Sequence, residues 1–233
     1  MSALHRHQLV RLTEAGWRCA LAAAWDADAR ACLQLWADRD LPLVVTRQAA
    51  PVAAPDTPPR PAMVALGLPA PSPWRGRRIA LAVEAGHIAG FDEFPTLGDP
   101  ALAIAASGPD WDVLARALAP SQATARVYGS HGWQALTGLP HAHAGSDIDL
   151  WIAVADAAHA DAVAAALWDA GDAMAARLDG ELTFPDGRAV AWREWRAWRA
   201  GLTRAILCRT LTDAALVHHP FTERIGRTER VPC

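Results

Sequence analysis

The sequence predicts an α+β protein with one large or two small domains. Candidate strands and helices are mixed along the chain and include a hairpin, which favours α+β over an all-parallel, doubly wound sheet. Hydrophobic residues make up 52% of the 233 residues, so the chain can bury a substantial core. The net charge of -3 provides no basic field for nucleic acid, and no apolar run reaches the roughly 18 residues of a membrane span. We therefore expect a cytoplasmic globular protein that binds neither nucleic acid nor a membrane.

The first part of the chain predicts a smaller N-terminal α+β domain over residues 1–84. An extended start leads into a helical stretch over residues 18–39 and a short apolar strand within residues 41–47. A proline-rich stretch over residues 49–61 then predicts a loop or linker, because proline lacks the amide donor that helix and sheet interiors use. A further strand is expected over Ile79–Glu84.

Residues 85–233 predict a second domain, in which helices and strands alternate before a hairpin. Pro109 and Asp110 suit a helix start, and a turn at residues 185–187 joins the two strands of the hairpin. The expected elements are a helix at about 110–118, a strand at 125–128, a helix at 131–138, a strand at 147–154, a helix at 157–170, the hairpin within 181–192 and a last helix that begins within 193–211.

Two aspartates stand at the start of the strand predicted over residues 147–154. Alternation on a strand puts Asp147 and Asp149 on one face, roughly 6 to 7 Å apart at the backbone, while Ile148 and Leu150 face the core. Like charges this close are costly unless solvent or a cation screens them. A lone Asp-x-Asp is more often a turn residue followed by an exposed charge. A hard, oxygen-binding ion such as Mg²⁺ would relieve the repulsion and suits both carboxylates.

Gly129 and Ser130 end the preceding strand and open a helix, and this pattern suits a phosphate. The helix start exposes amide donors, glycine lets a ligand approach the backbone, and Ser130 can cap the helix. Gly138 is expected to end that helix. A glycine and a serine before a helix often serve only as a cap, but the paired carboxylates that follow favour a bound triphosphate and metal.

The segment VYGSHGWQALTGLPHAHAGSDIDL, residues 127–150, resembles the polymerase-β-like nucleotidyltransferase superfamily. Together with LDGELTFPDGRAVAWREW, residues 178–195, it is more closely similar to the malonate decarboxylase holo-acyl-carrier-protein synthases, or phosphoribosyl-dephospho-CoA transferases. The resemblance implies a mixed sheet flanked by helices in the second domain. It also implies that residues 85–233 form the nucleotidyltransferase catalytic domain, and that residues 1–84 bind substrate or carrier protein.

The resemblance further implies a group transfer. The family moves the 2'-(5''-phosphoribosyl)-3'-dephospho-CoA group from triphosphoribosyl-dephospho-CoA to a serine of the malonate decarboxylase acyl carrier protein subunit, and diphosphate leaves. Asp147 and Asp149 would be catalytic and hold Mg²⁺, while Gly129 and Ser130 would hold phosphates. The superfamily adds a third carboxylate, for which Glu194 is the first candidate here and Glu181 the second.

Other residues have a structural and a functional interpretation. His141 and His143 precede the aspartates and could contact phosphate, although loop histidines are more often solvent-exposed and a zinc pair would lack further ligands. Residues 192–201, WREWRAWRAG, interleave tryptophan with arginine. Arg193 and Arg196 could bind the ligand, or the tryptophans could form a buried helix edge with the arginines in solvent.

Two other functions fit the same residues. An adenylyltransferase of the same fold would act on a small molecule or a protein, and labelled ATP would reveal AMP transfer. A catalytically inactive module that binds nucleotide or carrier protein is the second alternative, against which the two intact aspartates argue. The four cysteines are far apart in sequence and are expected to be free thiols.

Overall fold

In the computed structural model, which describes residues 4–49, 61–104 and 111–219, the chain folds around an N-terminal and a C-terminal sheet. The N-terminal sheet is antiparallel with the order β4-β3-β2-β1-β5. Its strands are β1 (Leu9–Leu12), β2 (Leu43–Val45), β3 (Met63–Pro69), β4 (Arg78–Glu84) and β5 (Ile88–Asp92). The sheet thus continues beyond residue 84, where sequence alone suggested that the first domain ends.

The predicted N-terminal helical stretch is divided into two helices, α1 (Glu14–Ala22) and α2 (Ala27–Asp38). Asp26 has an extended backbone, and its side chain accepts a hydrogen bond from the amide of Ala29. This cap starts a new helix and breaks the stretch that composition suggested was continuous. Most of the proline-rich stretch 49–61, and the proposed helix start at residues 109–110, lie outside the described residues.

The C-terminal sheet is mixed and has the order β11-β10-β9-β8-β7-β6. Strands β7 and β8 are parallel, whereas the other neighbouring pairs are antiparallel. The strands are β6 (Ala125–Tyr128), β7 (Ile148–Ala153), β8 (Leu178–Thr183), β9 (Ala189–Ala191), β10 (Ile206–Arg209) and β11 (Ala214–Val217). Mixed and antiparallel sheets flanked by helices confirm the α+β class.

The helices of the C-terminal half are α3 (Pro100–Ile104), α4 (Trp111–Leu118), α5 (Gly129–Thr137), α6 (Ala157–Gly171) and α7 (Trp192–Arg199). The inward side chains of α4, α6 and α7 share a core with Ile148, Leu150 and Ile152 of β7. The last helix begins at Trp192, one residue before the segment in which its start was expected. Residues 206–209 form β10, because Ile206 and Cys208 alternate into the core.

The N-terminal and C-terminal halves share a buried contact through Trp133 of α5. This side chain is 4% exposed and belongs to the core of the N-terminal half. Its ring centroid lies 5.4 Å from that of Phe94, nearly edge-on, and 6.5 Å from that of Trp36. Helix α5 is therefore fixed from both halves. Within the described ranges, no helix is long and apolar enough to cross a bilayer.

We expect Trp133→Ala to lower the free energy of unfolding by about 3 to 5 kcal/mol, since a buried tryptophan leaves a large cavity. Urea denaturation followed by circular dichroism measures the loss. Trp168→Ala is the control, because Trp168 is 40% exposed on α6, and its removal should cost about 1 kcal/mol or less. Equal losses in the two variants would contradict the shared core.

Candidate active site

A row of polar side chains crosses β6, β7 and β8 on the face of the C-terminal sheet opposite its core. Asp149 is paired with Tyr128 on β6 and with Asp179 on β8. Residues that face each other across neighbouring strands point to the same side of a sheet, so the two carboxylates are neighbours. Asp147 lies just before β7, two residues from Asp149. The parallel pairing of β7 with β8 thus brings carboxylates from separate segments together.

Gly129 lies against the carboxylate of Asp149. It begins α5 with a φ of +61°, a conformation that other residues rarely adopt. A Cβ atom at this position would overlap Oδ2 of Asp149 and lie 2.8 Å from its Cγ. The start of α5 can therefore approach the carboxylates only because residue 129 has no side chain.

The surroundings of Asp149 disfavour its charged form. Burial, with added repulsion from Asp179 and Asp147, raises the pKa of Asp149 to about 6. Arg177 partly compensates, because its guanidinium nitrogens lie 3.6 Å from Asp147 Oδ2 and 3.7 Å from Asp179 Oδ2. These are long, exposed contacts that offset little of the repulsion. A cation at this position would therefore be favourable.

Asp149 lines a cavity of about 970 Å³ between the two halves, whereas Asp147 and Asp179 do not line it. Asp149, Gly129 and Ser130 line it from the C-terminal half. Strands β2, β3 and β4 and the turn between β3 and β4 line it from the N-terminal half. A site of this size accommodates a ligand larger than a metal and a triphosphate.

Two family models match the chain. The family model described as the phosphoribosyl-dephospho-CoA transferase MdcG N-terminal domain matches residues 5–94, and that of the MdcG C-terminal domain matches residues 101–220. The chain belongs to the phosphoribosyl-dephospho-CoA transferase family.

Relatives with that name cover most of the chain. The protein of Xanthomonas campestris pv. campestris (strain 8004) is 38% identical over 82% of this chain and 86% of its own length. The protein of Bradyrhizobium diazoefficiens is 37% identical over 81% of this chain and 80% of its own length. The protein of Xanthomonas axonopodis pv. citri (strain 306) is 35% identical over 91% of this chain and 95% of its own length. No solved structure matches the chain.

The cavity brings together part of the site that the sequence predicts. Asp149, Gly129, Ser130 and His143 all line it. His143 is exposed, and its Nδ1 accepts a hydrogen bond from the amide of Gly145, which leaves Nε2 to carry the proton of the neutral ring. The predicted cap by Ser130 is wrong. Helix α5 begins one residue earlier, at Gly129, and no described side chain caps it.

His141 also lines the cavity, but it is half-buried against aromatic rings. Its ring lies edge-on to Trp36, with centroids 6.3 Å apart. Burial lowers the pKa of His141 to about 4, so the ring is neutral at pH 7. It therefore contributes no positive charge toward a phosphate there.

The structure separates Glu194, Arg193 and Arg196 from the aspartates. All three lie on α7, which packs on the core face of the sheet, whereas Asp149 points to the opposite face. Glu194 accepts a hydrogen bond from the amide of Leu207. Arg193 stacks over Trp192, and Arg196 stacks over Trp168 at 3.6 Å.

Residues 192–201, the Trp/Arg segment, therefore follow the structural interpretation. The tryptophans form a buried helix edge, and the arginines lie outside it. Trp192 and Trp195 are 1% and 0% exposed. The sequence prediction placed Arg193 and Arg196 near the ligand because they follow the hairpin, but the hairpin leads the chain onto the other side of the sheet. Neither arginine lines the cavity.

Glu181, the second candidate for the third carboxylate, is occupied by an ion network. Arg6 donates to both of its oxygens, at 2.9 and 3.1 Å, and His7 Nε2 lies 3.1 Å from Oε2. Burial alone would raise its pKa, but the hydrogen bond from His7 and the charge of Arg6 lower the pKa to about 2. His7 also stacks on Tyr128, with centroids 4.1 Å apart. Glu181 therefore anchors the N-terminal segment on the carboxylate face and has no oxygen free of partners for a metal.

Asp179 and Arg177 are the site residues that the sequence interpretation missed. Asp179 follows the first residue of β8 in the segment LDGEL, as Asp149 follows the first residue of β7 in SDIDL. This shared position could have indicated Asp179 as a site residue. It places Asp179 beside Asp149 only if β8 pairs in parallel with β7, and the sequence alone does not show which strands are neighbours.

The oxygen ligands fit a hard cation, although they are not a preformed cage. Among the described residues, no group of three or more His, Cys, Asp or Glu side chains is arranged to hold a metal ion. Mg²⁺ usually takes one or two protein carboxylates and completes its shell with water and substrate phosphates. Burial is the first cause of the raised pKa of Asp149, and repulsion from Asp179 and Asp147 is the second; a bound cation would relieve that repulsion.

We expect Gly129→Ala to abolish transfer and to destabilise the fold, because the new methyl group overlaps the Asp149 carboxylate. Gly138→Ala is the matched control. Gly138 ends the same helix at a φ of +67°, but nothing lies within 4 Å of a Cβ there. It should lose about 1 kcal/mol from backbone strain and keep its activity. Activity assays and thermal unfolding of both variants measure the difference, and similar behaviour of the two would refute the steric argument.

We expect Glu181→Gln to cost about 2 to 4 kcal/mol of unfolding free energy at pH 7, because Arg6 loses its buried partner. The pKa of Glu181 lies below its ordinary value of 4.5, so this stabilisation is present above pH 4.5 and is lost as pH falls towards 2. Urea denaturation at pH 7, 5 and 3 tests this, with Glu84→Gln at an exposed position as the control. A loss that does not shrink at pH 3 would contradict the assignment.

Proposed function

We propose that the chain transfers the 2'-(5''-phosphoribosyl)-3'-dephospho-CoA group from triphosphoribosyl-dephospho-CoA to a serine of the malonate decarboxylase acyl carrier protein subunit. It acts in the cytoplasm as a Mg²⁺-dependent transferase of the polymerase-β-like nucleotidyltransferase type. Membership of the phosphoribosyl-dephospho-CoA transferase family supports the group transferred. The observation that carries the chemistry is the carboxylate row of Asp147, Asp149 and Asp179 beside the glycine that opens α5.

The reaction replaces a phosphoanhydride bond of the donor with a phosphodiester bond to the carrier. The serine Oγ of the carrier forms a bond to the α-phosphorus of the donor, and the bond from that phosphorus to the oxygen of the departing diphosphate breaks. Diphosphate leaves with the electron pair, and the hydroxyl proton is released. Because the nucleophile belongs to the carrier protein, this chain supplies orientation and charge stabilisation rather than a nucleophile of its own.

Asp147, Asp149 and Asp179 would hold the metal, with Asp179 taking the role that the sequence suggested for Glu194 or Glu181. Bound Mg²⁺ would neutralise phosphate charge and stabilise the departing diphosphate. Arg177 contacts two of the three carboxylates and would keep them in position before the metal and the donor arrive.

The start of α5 would bind the phosphates of the donor. Gly129 leaves the backbone accessible, and the first amides of the helix are free to donate. Ser130 and His143, which line the same cavity, add hydroxyl and imidazole donors. Arg193 and Arg196 are not included in this proposal, since both pack on α7.

The two halves of the protein would have different roles. The C-terminal sheet carries the chemistry, and the N-terminal sheet binds donor or carrier protein. Strand β5 pairs with β1. The boundary that we propose between the halves therefore lies beyond Asp92 rather than at residue 84.

We expect Asp147→Asn, Asp149→Asn and Asp179→Asn each to lower the transfer rate by at least about 100-fold, since each removes charge at the proposed metal. None should destabilise the apo protein at pH 7, because each also removes repulsion. Asp169→Asn, an exposed position on α6, is the control and should react normally.

Intact-mass spectrometry of the apo carrier subunit measures the reaction, with Mg²⁺, the donor and an EDTA arm. A mass gain equal to the phosphoribosyl-dephospho-CoA group, lost with EDTA, is the expected result. Full activity in the aspartate variants would refute the metal assignment. Transfer of labelled AMP from ATP would point instead to an adenylyltransferase.

A further inference from the structure

The wall of the cavity on the N-terminal side includes an apolar part of the N-terminal sheet. Val44, Gly67 and Ala80 face one another across β2, β3 and β4, and all three line the cavity. Ala80 is exposed and Val44 half-buried, whereas Gly67 is buried, and a Cβ there would lie 3.1 Å from the methyl group of Thr46. An apolar surface of small residues suits a planar ring system, although small residues alone do not identify a ligand.

Cationic side chains border this surface. Arg78 lies two residues from Ala80 on β4 and therefore points to the same face, and Arg75 lies in the turn between β3 and β4. Both are exposed, both line the cavity, and neither has an acidic partner within the described residues. Arg77, between them, differs because it forms an ion pair with Asp26 and does not line the cavity. The two unpaired arginines thus face the space that a ligand would occupy.

The turn that carries Arg75 is fixed relative to the active site. Ser72 donates to the carbonyl oxygen of Pro140 from both its amide, at 3.0 Å, and its hydroxyl, at 2.9 Å. Pro140 lies in the loop after α5, the helix that begins at Gly129. Arg75 itself has a φ of +60°, which sets the direction of the turn. The arginines and the carboxylates are therefore parts of one composite site.

The donor has two phosphate-bearing parts, which need separate cationic contacts. One is the triphosphate on the added ribose, and the other is the diphosphate of dephospho-CoA, beyond the adenosine. The carboxylates suit only the first, together with a metal, because they would repel a bare diphosphate. Arginine guanidinium groups match phosphate oxygens without a metal.

Building on the proposed function, we propose that the N-terminal sheet is the subsite for the adenosine diphosphate part of the donor. The adenine lies on the surface formed by Val44, Gly67 and Ala80, and the diphosphate contacts Arg75 and Arg78. The N-terminal half is thus a donor-binding domain, and the carrier serine enters from the open side of the cavity.

Calorimetric titration with 3'-dephospho-CoA, which lacks the triphosphate, tests this subsite without metal or catalysis. We expect the wild-type protein to bind it, and the double variant Arg75→Ala/Arg78→Ala to bind at least about tenfold more weakly. Arg18→Ala, an exposed arginine on α1 that does not line the cavity, should bind as the wild type does. Ala80→Trp at an exposed strand position fills the surface without changing charge, and it should also weaken binding.

The test separates this inference from the proposed function. Asp147→Asn should lose transfer and still bind 3'-dephospho-CoA, because its carboxylate serves the other end of the donor. If transfer fails in every arm while binding depends on the arginines, the subsite stands and the proposed reaction does not.

Equal binding by the double arginine variant and Arg18→Ala would overturn the inference. So would the absence of wild-type binding at millimolar concentration. A double variant that loses affinity only for the carrier subunit would assign the arginines to protein docking, and that result also overturns the inference.

Discussion

Repulsion among carboxylates on one face of the C-terminal sheet is the constraint on which this active site depends. Asp149 and Asp179 are neighbours because β7 and β8 are parallel and in register. The strands stay together because Ile148, Leu150 and Leu182 are fully or almost fully buried on the opposite face. Hydrophobic burial therefore stabilises an arrangement that electrostatics alone would disfavour. Charge left uncompensated in this way favours a bound cation.

The N-terminal half completes the site from two directions. Trp133 packs α5 into the core of the N-terminal half, so the position of that helix, which begins at Gly129, depends on both halves. His5, Arg6 and His7 lie across the carboxylate face, where His5 stacks on Trp151 and Glu181 holds the other two. His7 also stacks on Tyr128, so this segment covers the face from Tyr128 to Trp151 and Glu181. The cavity remains open beside Asp149 and Gly129. The polar groups that line it from the C-terminal half therefore lie at one end of the sheet.

The Trp/Arg segment shows why sequence pattern alone did not identify the ligand contacts. Alternating tryptophan and arginine suits either nucleotide binding or an amphipathic helix. On α7 the tryptophans pack in the core and Arg196 stacks on Trp168 of α6, so the segment stabilises the sheet from its far side. Arg75 and Arg78 line the cavity instead, and the sequence interpretation did not single them out.

Sequence by itself determined the chemical class of this site. Asp147, Asp149, Gly129 and the apolar alternation of β7 follow from local rules, because strand periodicity and helix-start geometry depend on residues only a few positions apart. Tertiary structure decided the rest. Asp179 lies beside Asp149, and the N-terminal sheet forms the far wall of the cavity, because strand order and the packing of the halves depend on contacts between distant residues. No local pattern contains that information.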